Sequence, residues 1–161
     1  MNMDTLLARS LNLDRLWITP LLTLSCVAVL SCLQPRPSSE CRRFYNLSPQ
    51  QREAKLRVSP VKEQLTLYEC GMYQEPPTDF AGDVAEGGER IIPAVLDQLM
   101  AESSETRQDF LIHIFEELAL KEHLRGKRDV VEQIKQVVSA MKDDNIKRRS
   151  QRRLKVIEDN L

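Results

Sequence analysis

Two segments in the C-terminal half of the chain have the same apolar pattern at an offset of 42 residues. Within each segment the apolar positions are three or four residues apart, which is the spacing of one α-helical face. The aligned pairs are Ile92 and Ile134, Val95 and Val137, Leu96 and Val138, Leu99 and Met141, Arg107 and Arg149, Ile112 and Leu154, and Phe115 and Ile157. A repeat of this length is typical of stacked helical hairpins. Residues 89–161 are therefore predicted to form two hairpins.

The composition also favours helices. Aromatic residues make up only 5% of the chain and there are five glycines, whereas a sandwich or barrel would need more strand-forming aromatics and more turns. Residues 48–88 contain prolines at helix starts and at a Pro76-Pro77 break, so they are predicted to form an N-terminal helical cap. The predicted fold is all-α: a short right-handed α-solenoid of about five to seven helices.

The repeated units resemble HEAT repeats. The segment Ile92-Pro93-Ala94-Val95-Leu96-Asp97-Gln98-Leu99 is similar to the first helix of that family, and an acidic or small turn with an arginine follows at 103–107 and again at 143–149. The second unit has Lys135 where Pro93 would align. The resemblance implies a solenoid whose concave face binds proteins or peptides. It implies no cofactor.

The N-terminal region contains an apolar stretch. Residues 16–33 include no ionised side chain, and the polar, proline-rich segment 34–40 follows. The length and position of the stretch are typical of a secretory signal peptide, and the segment that follows is typical of a tether. There are three interpretations: a signal peptide that ends at the lipid-attachment motif described below, an uncleaved membrane anchor, and an ordinary signal peptide cut near Ser31. Each of the three interpretations predicts export of residues 41–161.

The end of the apolar stretch, Val29-Leu30-Ser31-Cys32, resembles the lipobox of bacterial lipoproteins. The resemblance implies that Cys32 receives a diacylglycerol group and becomes the first mature residue. Residues 1–31 would then be the signal peptide and 32–47 a lipid-anchored tether. Because Leu33 is not the aspartate that signals inner-membrane retention, the family implies an outer-membrane anchor facing the periplasm in a diderm bacterium.

Two cysteines, Cys41 and Cys70, lie in the predicted exported domain. An oxidising envelope permits a disulfide between them, which would fasten the start of the domain to its first long helix. The alternative is a pair of free thiols.

The charges are unevenly distributed along the chain. Eleven acids and only two arginines lie between Glu75 and Glu117, whereas residues 147–155 contain six bases and no acid. These bases are candidates for contact with an anionic membrane surface: Lys147, Arg148, Arg149, Arg152, Arg153 and Lys155. The alternative is a solvated face that pairs with neighbouring acids. Export argues against nucleic acid as a partner.

Few residues suggest catalysis. His113 and Glu117 lie four residues apart on a predicted helix, but no HExxH pattern, nucleophile elbow or phosphate-binding loop accompanies them. Asp109, Glu116 and Glu117 are predicted to be exposed, and Tyr68, Tyr73 and Phe80 are interpreted as packing residues.

The predicted function is non-enzymatic binding of another protein by a membrane-anchored helical domain. One alternative is a small exported hydrolase or metal-dependent protein that uses His113 and Glu117. Another is a purely structural component of the envelope. The sequence identifies neither the partner nor the oligomeric state.

Overall fold

The computed structural model describes residues 38–161, and Pro37–Leu161 forms one compact unit. The predicted signal peptide and Cys32 lie outside the described residues. Eight α-helices and one short 3-10 helix, Gly88–Ile91, make up the described part, which confirms the all-helical stack. The α-helices are α1 (Ser39–Tyr45), α2 (Pro49–Val58), α3 (Val61–Met72), α4 (Ala81–Ala85), α5 (Ile92–Ala101), α6 (Glu105–Leu120), α7 (Arg128–Ala140) and α8 (Asp144–Asp159).

The first helix corrects the predicted boundaries of the tether. Residues 32–47 were predicted to be a lipid-anchored tether, but Ser39–Tyr45 within this range forms α1, with Ser38 as its N-cap. Phe44 on α1 is buried and its ring lies 5.5 Å from that of Phe80, in an edge-to-face arrangement. The domain therefore begins before residue 48, because the apolar side of α1 packs on the cap.

Local sequence explains where several helices begin. Pro49 lies in the first turn of α2, as predicted, and Ser48 and Gln51 form a capping box there. The Asp129-x-x-Glu132 sequence is typical of a capping box, but α7 already begins at Arg128 and no side chain caps it. Asp143 instead caps α8, accepting hydrogen bonds from the backbone N–H groups of Asn145 and Ile146.

The last four helices pair as the 42-residue offset predicts. A three-residue turn joins α5 to α6, and another joins α7 to α8; α6 then packs along α8, and α5 contacts α7. Five aligned apolar pairs are buried: Ile92 and Ile134, Val95 and Val137, Leu99 and Met141, Ile112 and Leu154, and Phe115 and Ile157. Burial of these positions drives the stacking of the two hairpins.

Helix α6 is the central element of the domain. It contacts α3, α4, α5 and α8, and its buried residues lie on more than one face. Ile114, which is not one of the repeated apolar positions, is fully buried. Asp109, which was predicted to be exposed, is also buried. The prediction for Asp109 was wrong because periodicity within one helix does not show how many neighbours surround it.

The turn of the second hairpin is hydrogen-bonded to the first hairpin. The carboxylate of Glu105 at the start of α6 accepts hydrogen bonds from the backbone N–H groups of Lys142 and Asp143, at 2.7 and 2.8 Å. These bonds hold the pKa of Glu105 below its usual value. One side chain of the first hairpin thus fixes the loop of the second.

Candidate binding surface

Cys41 on α1 and Cys70 on α3 lie at disulfide distance, as the sequence predicted, with their Cα atoms 5.3 Å apart. A second contact lies beside this pair: the Tyr45 hydroxyl donates to the backbone carbonyl oxygen of Cys70 at 2.7 Å. This hydrogen bond joins α1 to α3, and the two cysteines are close enough for a disulfide between the same helices.

Two of the six predicted surface bases make ion pairs inside the domain. Arg149 Nε donates to Oδ2 of the buried Asp109 at 2.6 Å, and Ser150 Oγ donates to Oδ1 of the same carboxylate at 2.7 Å. Arg153 donates to Glu116, and its Nε lies 3.6 Å from Asp109. These arginines join α8 to α6, so much of their charge is neutralised by the helix that they pack on.

The other four bases divide into two groups. Lys147 Nζ donates to the carbonyl oxygens of Ser139 and Met141 at the end of α7, a favourable position for a cation. Arg148 bonds locally, to the Asp144 carbonyl and the Asn145 side chain. Arg152 and Lys155 are exposed, and within residues 38–161 neither makes an ion pair. Contact of the six with an anionic surface stays a prediction.

His113 does not contact Glu117. Its Nε2 lies 3.5 Å from Asp79 and 3.9 Å from Glu116, and its Nδ1 lies 3.3 Å from the Tyr68 hydroxyl. The Glu117 carboxylate extends instead toward Gly82 on α4. His113 therefore faces groups contributed by α3 and by the segment before α4, and a joint role of His113 and Glu117 stays a prediction.

The His113 imidazole is poorly placed to hold a proton. Burial lowers its pKa, and the nearby Arg153 guanidinium lowers it further, against the opposing effect of Asp79 and Glu116. Burial also raises the pKa of the neighbouring Tyr68 phenol. Across residues 38–161 no group of three or more His, Cys, Asp or Glu side chains is arranged to hold a metal ion. The contact between Tyr68 and His113 joins α3 to α6, and the ion pair between Arg153 and Glu116 joins α6 to α8.

An aromatic and charged surface lies where α3, α5 and α6 meet. We call it the aromatic–arginine patch, and define it as Glu69, Tyr73, Glu102, Arg107 and Phe110. Tyr73, interpreted from sequence as a packing residue, is 55% exposed. The interpretation was correct for Tyr68 and Phe80, which are buried, but wrong for Tyr73, because that residue follows the last turn of α3 and extends past the core.

Aromatic contacts hold the exposed ring in place. The Tyr73 ring lies 5.6 Å from the half-buried Phe110 ring at an interplanar angle of 71°, and Phe110 in turn lies 6.4 Å from buried Tyr68. Edge-to-face packing of this kind fixes ring orientation. Tyr73 is therefore an exposed aromatic group on a rigid support.

The charged part of the patch surrounds Arg107. Its Nε lies 2.5 Å from Oε1 of Glu69 on α3, and its Nη1 lies 3.7 Å from Oε2 of Glu102 at the end of α5. Burial raises the pKa of Glu69, and Arg107 opposes that effect. The negative charge of Glu69 raises the pKa of Arg107, and the Tyr73 hydroxyl oxygen, as an acceptor for the guanidinium, raises it further. Two carboxylates thus share one guanidinium.

A shallow cleft opens within the patch. Its walls include Glu69, Gln98, Glu102, Arg107 and Phe110, and its cavity volume is about 10 Å³. That volume corresponds to about one water molecule. The cleft is too small for an organic substrate, which usually occupies about 300 Å³ or more. It suits a contact with one small chemical group on a larger partner.

Comparisons of the chain with models of protein families, with characterised proteins and with solved structures gave no match. The HEAT-like and lipobox-like resemblances therefore remain predictions from sequence. In the part of the chain described by the structure, none of the helices is both long enough and apolar enough to cross a membrane.

Proposed function

We propose that the chain is a non-enzymatic, lipid-anchored protein of the cell envelope whose helical domain binds another protein. The observation that carries this proposal is the exposed Tyr73 ring, held against Phe110 beside Arg107. Tyrosine and arginine are among the residues that contribute most binding energy at protein interfaces. A ring that is already fixed loses little conformational entropy on binding, which favours affinity.

The location of this surface follows from the N-terminal sequence. Acylation of Cys32 would attach the domain to a membrane, with the segment up to residue 38 between the lipid and α1. A membrane-attached domain meets partners in the same envelope at high local concentration, so a modest patch is sufficient for association.

A crosslinking experiment on membranes tests the proposal. The full-length protein is crosslinked in its native envelope and purified, and its adducts are compared with those of Tyr73→Ala. We expect a discrete adduct that is weakened at least several-fold by the substitution, since a central aromatic residue contributes about 2 kcal/mol or more at a typical interface.

Leu120→Ala provides the matched control. Leu120 is 54% exposed, close to the value for Tyr73. It is the last residue of α6, whereas the patch residue Arg107 lies near the start of that helix. The control should keep the adduct. If Tyr73→Ala and Leu120→Ala reduce the adduct equally, the patch is not the binding surface.

A further inference from the structure

The cleft in the aromatic–arginine patch has a formal charge that is not balanced. Glu69 and Glu102 contribute two negative charges and Arg107 one positive charge, all within the ion-pair distances given above. The carboxylates are only 26% and 15% exposed at their side chains, so water screens them less than it screens a free surface acid. One more positive charge would balance the negative charges of the two carboxylates.

The size of the cleft selects among cations. A cavity volume of about 10 Å³ leaves room for about one water-sized group, and an ammonium group is of that size. A guanidinium is planar and larger, whereas the lysine ammonium is a compact point charge at the end of a flexible stem. The space beside Glu69 and Glu102 therefore suits lysine better than arginine.

The walls of the cleft suit the rest of a lysine side chain. Phe110 lines it, together with the buried Leu65 and Leu111. A lysine stem packs on apolar surface while its charged end stays with polar groups. The face of an aromatic ring also attracts a nearby cation.

We propose that this cleft is the specificity site of the binding surface, and that it receives a lysine side chain of a basic protein segment. The proposal rests on the proposed function and names the chemistry of the partner. Glu69 and Glu102 hold the ammonium, Phe110 packs on the stem, and Arg107 keeps the two carboxylates together when the partner is absent.

Fluorine NMR of the full-length protein in detergent micelles tests the site. The chain has three tyrosines, so labelling with 3-fluorotyrosine gives three signals, and Tyr73→Phe assigns the one in the patch. The probe is Nα-acetyl-lysine amide, and Nα-acetyl-norleucine amide is its uncharged control. We expect a saturable shift of the Tyr73 signal with lysine and no comparable shift with norleucine.

Charge-removing variants complete the test. Glu69→Gln and Glu102→Gln should each weaken lysine binding about fivefold, as expected for loss of one partly exposed charge partner. Glu132→Gln removes an exposed carboxylate on α7 and should leave binding unchanged. The dispersion of the three fluorine signals shows whether each variant is folded.

Three results would overturn the proposal: no shift with lysine, equal shifts with lysine and norleucine, or unchanged binding in both glutamine variants. These outcomes separate it from the proposed function. If Tyr73→Ala abolishes the crosslinked adduct while Glu69→Gln and Glu102→Gln retain it, the surface binds a partner without recognising lysine.

Discussion

Arg149 on α8 donates to the buried carboxylate of Asp109 on α6, with Nε and Oδ2 2.6 Å apart. Its counterpart in the 42-residue repeat, Arg107 on α6, makes an equivalent ion pair with Glu69 on α3, at 2.5 Å. Each arginine therefore links its own hairpin to the helix that precedes it in the stack. Arg149 only joins helices, whereas Arg107 both joins helices and forms part of the aromatic–arginine patch.

Asp109→Asn should destabilise the domain by about 3 kcal/mol, because it removes the negative charge facing Arg149 and Arg153 and weakens the bond from Ser150. Urea unfolding followed by circular dichroism measures the loss. Asp97→Asn is the control: Asp97 is exposed on α5, and its replacement should change the unfolding free energy by less than about 0.5 kcal/mol. Equal effects would mean that the carboxylate of Asp109 has no special role.

Replacing both Cys41 and Cys70 by serine should lower stability by about 3–4 kcal/mol, since the link closes a loop of about 30 residues. Unfolding by urea with and without a reducing agent measures this difference. The double variant should behave alike in both conditions, whereas the wild-type protein should be less stable when reduced. Mass spectrometry that finds two free thiols in the exported protein would contradict the expected link.

The unfolding free energy should depend on the protonation of His113. Burial and Arg153 lower the pKa of His113 in the folded state, so the unfolded chain binds a proton first as the pH falls. The contribution of neutral His113 to stability is therefore fully present above the unfolded pKa of about 6.5 and is lost as the pH falls from there toward the lower folded pKa.

His113→Gln isolates this dependence from that of the carboxylates. The difference in unfolding free energy between wild type and His113→Gln should be constant above about pH 7.5 and should shift against the wild type as the pH falls below about 6.5. Denaturant unfolding across this range gives the difference directly. A difference that does not vary with pH would show that His113 titrates alike in both states.

Lipidation is tested at Cys32. Cells that express the full chain should incorporate a labelled fatty acid into it, and Cys32→Ala should abolish incorporation and release the domain from the membrane fraction. Cys26→Ala, a change to the other cysteine of the apolar stretch, should retain the label. Absence of label from the wild-type protein would favour an uncleaved anchor or an ordinary signal peptide, and label retained by Cys32→Ala would show that Cys32 is not the acylated residue.

The periodic spacing of apolar residues was sufficient to predict the hairpins. Aligned pairs such as Phe115 and Ile157 can be identified from that spacing in the amino-acid sequence alone. The spacing was insufficient for Asp109 and Tyr73. Asp109 is buried because α8 supplies arginines and a serine from 40 residues away. Tyr73 is exposed because the chain turns away after α3, so the ring extends past the core.

The sequence alone determined the helical class, the two-unit repeat and the candidate cysteine pair, because each depends on local spacing or on a short list of residues. The tertiary structure decided which charges are internal and which are exposed. Lys147, Arg149 and Arg153 are bases in one run, yet their partners lie on α7 and α6. Ion pairing depends on distances between helices, and those distances exist only after the apolar faces have packed.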